Sequence, residues 1–299
     1  MRRALPLIAI VLVLAGGGLI VAAVTGAFDS GSDSEPAAAA ALKVDRFDRD
    51  RAFADLRHQV ELGPRPAGSE ASRQLAEWLR ERLPRGRIEP LRGGLQNVVG
   101  SILGRGKAIL VAAHYDTKDI PGFVGANDGA GGTAAVLEIA RAMRRAERPA
   151  GAPPIRFVLF DGEESPDDSR DFYTTGLRGS KPYARKHAKR LRAVILLDFV
   201  AEKGGMRIPR ESGSHLGLWR RLRAAARKVG AQSAFPDETV GEVLDDHTPF
   251  TRRGVPAIDL IDFTFDCWHE TCDDMSAVSA RALDLTGETV VQMLLDLSR

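Results

Sequence analysis

Ile109-Leu110-Val111-Ala112-Ala113-His114-Tyr115-Asp116 is an unbroken apolar run that ends in an imidazole and then a carboxylate. A short continuous apolar run fits a strand covered on both faces, as in a parallel sheet packed between helices. In open sheets of that kind, ligands gather at the carboxyl ends of the strands. Burying a histidine and an aspartate there is costly unless each is paired, hydrogen-bonded or bound to a metal.

Working outward, the same arrangement recurs. Residues 156–160 are a second apolar strand that runs into Asp161-Gly162-Glu163-Glu164, and residues 193–197 a third that ends at Asp198. Residues 257–261 read as a fourth strand. Helical periodicity follows Asp128 (Ala134, Leu137, Ala140, Met143) and covers residues 182–191, 217–229 and 277–297. Upstream, residues 47–62 read as a helix broken by Gly63-Pro64-Arg65-Pro66, and Ser69 as the N-cap of a helix bearing Leu75, Trp78, Leu79 and Leu83. Residues 97–103 and 108–113 read as a strand pair joined by a Gly-Arg-Gly turn. Strands alternating with helices predict an α/β fold: a three-layer αβα sandwich around a mostly parallel, mixed sheet.

Composition excludes some functions. The 299 residues carry 42 basic and 40 acidic side chains, so the basic footprint of a nucleic-acid binder is absent. No G-x-S-x-G elbow supports a serine hydrolase. Arg2-Arg3 precede an uncharged, mostly apolar stretch over residues 4–28, which reads as a signal-anchor or signal peptide. Flanking arginines orient such a segment with its body outside the cytoplasm, membrane-anchored or secreted after cleavage. Residues 29–43 then read as a flexible linker and residues 44–299 as one catalytic domain. Cys267 and Cys272, the two cysteines of the chain, flank His269, and in an oxidising compartment they suggest a disulfide. Nothing in the sequence fixes an oligomeric state.

Each cluster alone has a bland explanation. A buried His114 paired with Asp116 is ordinary, and Asn127-Asp128-Gly129-Ala130-Gly131-Gly132 reads equally as an acid-capped helix start. Glu163-Glu164 is less ordinary, because adjacent side chains at a buried strand end point in different directions. One can bind a metal while the other meets substrate, which is the division between ligand and general base that zinc hydrolases need. A His/Asp/Glu set without thiolates suits zinc with open positions.

The ordered set of His114-x-Asp116, Asn127-Asp128 with its glycines, Asp161 to Glu164, Asp198 and His269 resembles the M28 zinc peptidase superfamily over residues 63–297. That superfamily includes zinc aminopeptidases and glutaminyl-peptide cyclotransferases, and both act on peptide or protein N-termini. His114-Tyr115-Asp116-Thr117-Lys118, Asp245-Asp246-His247-Thr248-Pro249-Phe250 and Trp268-His269 are similar to the cyclotransferase branch. The resemblance implies one zinc held by Asp128, Glu164 and His269, with Glu163 as general acid/base. It places Asp198 and Asp246 in a hydrogen-bond network beside Glu163, Asp116 in support and Trp268 on the pocket wall. On the aminopeptidase side, His114 and Asp198 complete a second zinc site, Asp128 bridges the metals and Glu163 activates water. Residues 125–132 look more like the peptidase form of that loop, and the acidic insert 165–175 is expected at the pocket rim. With Glu163 and every ligand position intact, an inert binding module has little support.

Overall fold

The computed structural model describes residues 41–299. The apolar stretch 4–28 and residues 29–40 of the expected linker lie outside the described residues. The chain begins with α1 (Arg49–Glu61), α2 (Glu70–Arg82), β1 (Arg87–Pro90), β2 (Gln96–Ile102), β3 (Ala108–His114), α3 (Ala130–Arg145) and β4 (Ile155–Phe160). It continues through α4 (Phe172–Thr175), α5 (Ser180–His187), β5 (Leu191–Leu197), β6 (Arg210–Glu211) and α6 (Leu216–Val229). It closes with β7 (Thr239–Val240), α7 (Thr248–Thr251), β8 (Ala257–Leu260) and α8 (Ala280–Leu297).

The main sheet has six strands in the order β1-β2-β4-β3-β5-β8. Strands β4, β3, β5 and β8 run parallel, while β1 and β2 are antiparallel additions at one edge. The sheet is therefore mixed and mostly parallel, with helices on both faces. Ile109, Val111 and Ala113 of β3 pack into the core shared with α1, α2, α3, α6 and α8, whereas Leu110 and Ala112 pack toward Tyr183 of α5 and Phe250 of α7. This alternation is the period-two geometry of a strand buried on both sides.

One expectation fails. Strands β2 and β3 do not pair with each other, because β4 lies between them, antiparallel to β2 and parallel to β3. The short turn between them suggested a hairpin, but the long-range parallel pairing of β4 with β3 takes the adjacent position.

Local signals place the helices. Ser69 caps α2 by accepting the Ser72 N–H, Asp48 caps α1 by accepting that of Arg51, and Gly230 ends α6 in the left-handed conformation. Helix α3 starts on glycines because it lies close against the sheet: a Cβ on Gly132 would sit 2.1 Å from the Leu197 carbonyl oxygen at the end of β5. Alanine favours a helix interior by up to about 1 kcal/mol over glycine, but here the contact is with backbone and cannot be relieved by a rotamer change. Gly132→Ala is expected to destabilise the protein by about 1–3 kcal/mol net of that gain, read as a lower Tm in thermal unfolding. An unchanged or raised Tm would show that α3 can lift from the sheet without cost. Among the described residues, no helix is long and apolar enough to cross a membrane.

Candidate active site

Strand β3 sends its chain through α3 on one face of the sheet, and β4 sends its chain toward α5 on the other. The crevice between their carboxyl ends is therefore a topological switch point, where open α/β sheets bind ligands. His114 is the last residue of β3, Asp161 to Glu164 follow β4, and Asp198 follows β5. Beneath them, buried Asp116 orients the second segment: its two carboxylate oxygens accept the N–H groups of Glu163 and Glu164 at 3.2 and 3.3 Å. Asp161, by contrast, is spent on structure, accepting from the Gln96 N–H and the Ser72 hydroxyl. Gly129 turns the chain between Asp128 and α3 with φ near 93°, and a Cβ there would meet the Asp116 carbonyl oxygen at 2.8 Å.

Two triads result, and Asp128 belongs to both. His114, Asp128 and Asp198 form one, and Asp128, Glu164 and His269 form the other, each with its ligand-type atoms within 4.8 Å of one another. His114 Nε2 lies 3.2 Å from Asp128 Oδ1 and 3.4 Å from Asp198 Oδ1. His269 Nε2 lies 3.2 Å from Glu164 Oε1 and 3.7 Å from Asp128 Oδ2. Asp128 thus presents a different oxygen to each histidine.

These residues fit a metal ion. Zinc–ligand bonds of about 2.0–2.1 Å in a tetrahedron leave ligand atoms roughly 3.3 Å apart, close to the separations here. Asp128 Oδ2 and both ring nitrogens of His114 are fully buried without a hydrogen-bond partner, which is costly unless something else binds them. Electrostatics points the same way. Burial first, and the Glu164 charge next, push the Asp128 carboxyl up to about 8. The same two causes push Glu163 well above the usual carboxylate range, and burial with the Asp198 charge does so for Asp245. Lys118, with Nζ 3.7 Å from Glu164 Oε2, is a buried cation beside this cluster.

The triads open into a cavity of about 890 Å³. Glu163, Asp198 and Asp245 line it, together with the apolar Phe172, Phe199, Ile261, Phe263 and Trp268. Trp268 stacks on His269 with ring centroids 4.6 Å apart, and Phe263 packs 5.1 Å from Trp268. Ser165, Asp168, Arg170 and Phe172, all from the acidic insert, also line the cavity. Cys267 and Cys272 are joined by a disulfide.

Asp246, expected in the network beside Glu163, is near enough for its charge to act on that carboxyl. It is Asp245 that lines the cavity, while the Asp246 carboxylate is buried behind it, facing Ser180 of α5. The chain bends at Asp245 and turns at Asp246 on its way into α7, and the two neighbouring side chains part there. Asp259 was missed altogether. A carboxylate inside the otherwise apolar Ala257-Ile258-Asp259-Leu260 was the available signal. Asp259 groups with Asp245 and His247, and His247 sits 3.5 Å from both Asp259 Oδ2 and Glu211 Oε1. Burial pushes His247 down to about 4, so this imidazole is neutral at ordinary pH.

A mostly parallel sheet with paired His/Asp/Glu triads at its switch point defines a metal-binding α/β enzyme class. Residues 97–294 match Peptidase family M28, and the chain belongs to that family. It is 30% identical over 217 residues to the glutaminyl-peptide cyclotransferase-like protein of Mus musculus, matching 59% of this chain and 54% of that protein. The chain thus spans about half the length of the curated relatives it matches. Among solved structures, the glutaminyl cyclase of Porphyromonas gingivalis superposes with a TM-score of 0.73 at 29% identity, covering 84% of this chain and 99% of the other. A leucine aminopeptidase precursor from Bacteroides thetaiotaomicron gives a TM-score of 0.75 at 25% identity, covering 85% and 99%.

Proposed function

We propose that this M28 enzyme is a glutaminyl-peptide cyclotransferase that converts an N-terminal glutamine to pyroglutamate with release of ammonia. The observation that carries this reading is that Glu163, Asp198 and Asp245 line one cavity together with Phe172, Phe199, Phe263 and Trp268, beside the Asp128, Glu164 and His269 triad. The glutaminyl cyclases among the relatives support it.

Members of this family are typically zinc-dependent, and Asp128, Glu164 and His269 would hold the ion. Zinc there would supply positive charge to polarise the γ-carbonyl of the substrate. Glu163 accepts a proton from the α-amine as its nitrogen bonds to the side-chain carbonyl carbon, then delivers it to the amide nitrogen as that carbon–nitrogen bond breaks and ammonia leaves. No water is consumed. A carboxyl held well above its usual range by burial and by Glu164 is suited to carry that proton in both directions. Asp245 helps keep the proton affinity of Glu163 high, Asp198 lines the cavity beside it, and Trp268 and Phe263 enclose the side-chain methylenes and limit water. Holding amine and carbonyl of one residue within reach supplies much of the rate.

Asp245→Asn is expected to lower kcat by roughly 10–100-fold with little change in KM, the usual cost of losing a group that supports a reacting one. Asp246→Asn, which removes a charge that acts on Glu163 but no group lining the cavity, should cost less. Equal losses in the two variants would count against Asp245 as the partner of Glu163.

One observation favours a second reading, zinc aminopeptidase. Asp128 offers a different oxygen to each triad, as a carboxylate bridging two metals does, with His114 and Asp198 completing the second site. Glu163 would then activate a water. Product mass separates the two: the enzyme is incubated with zinc and a peptide beginning in glutamine, and separately with one beginning in leucine. Loss of ammonia from the first alone supports the cyclase, and release of a whole residue from either supports the aminopeptidase.

We also propose that the enzyme works outside the cytoplasm, anchored or released through residues 4–28. The apolar character of that stretch and the disulfide beside His269 support this placement.

A further inference from the structure

Asp273 belongs to neither triad, yet it ties their loops together. It is fully buried, and its carboxylate accepts the backbone N–H groups of Asn127 at 2.7 Å and Asp128 at 3.0 Å. Its own carbonyl accepts the N–H of Ala126 at 3.1 Å. Three successive amides leading into α3 therefore end on one residue. Arg65, also fully buried, holds the preceding stretch by donating to the carbonyls of Val124 at 2.9 Å and Gly125 at 3.3 Å.

On its other side Asp273 follows Cys272, whose disulfide to Cys267 closes a loop around His269. His269 has φ near 56°, a left-handed conformation that a side chain other than glycine seldom adopts. Local backbone preference does not hold the ring where it stands. The covalent closure holds it on one side, and the hydrogen bonds of Asp273 anchor the end of the same loop to the backbone of Asp128.

We propose that Asp273 is a positioning residue for the metal centre, fixing the backbone of Asp128 against the Cys267–Cys272 loop that carries His269, so that neither ligand loop can shift without the other. The inference rests on the zinc reading given above. It makes the disulfide a contributor to zinc affinity that acts partly through Asp273. Groups that act through one shared element are not additive when removed together.

The test is zinc affinity, measured by chelator competition on the purified full-length protein, with thermal unfolding of the zinc-free form alongside. Asp273→Ala should weaken zinc binding by roughly 10–100-fold, the range typical of residues that orient a metal ligand. Asp273→Asn keeps the shape and one acceptor oxygen, should fall between wild type and alanine, and supplies the measurement if the alanine variant does not fold. Replacing both cysteines by serine should also weaken binding, and combining that change with Asp273→Asn should cost less than the sum of the two. Leu283→Ala, in the core of α8, is the control: it should lower Tm but leave zinc affinity unchanged. Wild-type affinity in both Asp273 variants, or strict additivity with the cysteine change, would overturn the inference while leaving the zinc reading intact. A wild-type protein that binds no zinc would sink both.

Discussion

Glu163→Gln is expected to lower turnover by roughly 10³–10⁴-fold while zinc remains bound at its wild-type content. The substitution keeps the shape of the side chain and removes only its ability to gain and lose a proton. Glu163 belongs to neither triad, and its backbone N–H, held by Asp116, is unaffected by the change. Folding should not suffer either. Burial and the neighbouring Glu164, Asp245 and Asp246 charges already disfavour the ionised form, so a neutral amide relieves repulsion in the zinc-free protein. Zinc content by elemental analysis, kcat and zinc-free Tm together separate the possibilities. Loss of zinc would make Glu163 a ligand, and retained activity would move the proton carrier elsewhere, with Asp198 the next candidate. The prediction holds for cyclisation and for hydrolysis alike, because both require a base at this position.

Much of this site was legible because strand-terminal chemistry interrupts an apolar pattern. His114, Asp198 and the Glu163-Glu164 pair each end a buried run, and parallel strands carry such residues to one edge whatever the strand order. Strand order itself was not legible. The short link between β2 and β3 suggested a hairpin, and only the long-range pairing of β4 with β3 excludes it. Asp245 and Asp246 were beyond a sequence reading for a different reason. They lie in an irregular segment ahead of α7, where no period of two or of 3.6 says which neighbour faces the cavity. The sharing of Asp128 was expected from the family resemblance, but what fixes its backbone was hidden, since the anchor is residue 273, far along the chain. Residues that act through backbone amides leave no pattern of their own in a sequence.

Asp128→Ala should have the other large effect: loss of zinc and of turnover to background, since it removes the one carboxylate that both triads use. The informative comparison is His114→Ala. In the cyclase reading the working zinc is held by Asp128, Glu164 and His269, and His114 stands outside that shell, 3.2 Å from Asp128 Oδ1. Removing His114 should then leave one zinc per chain and cost no more than the roughly 10–100-fold typical of groups that only support a ligand. In the aminopeptidase reading His114 is itself a ligand, so the same variant should drop from two zincs to one and lose peptide hydrolysis as completely as Asp128→Ala. The unpartnered ring nitrogens of His114 make the measurement sharp. A buried imidazole flanked by Asp116, Asp128 and Asp198 is satisfied either by a second metal or by a proton, whose retention the surrounding charges favour despite the opposing effect of burial. If the proton satisfies it, wild-type protein carries a single zinc and His114 titrates as an imidazolium once that zinc is stripped. If the metal does, stoichiometry doubles and the site is built to split water rather than to expel ammonia.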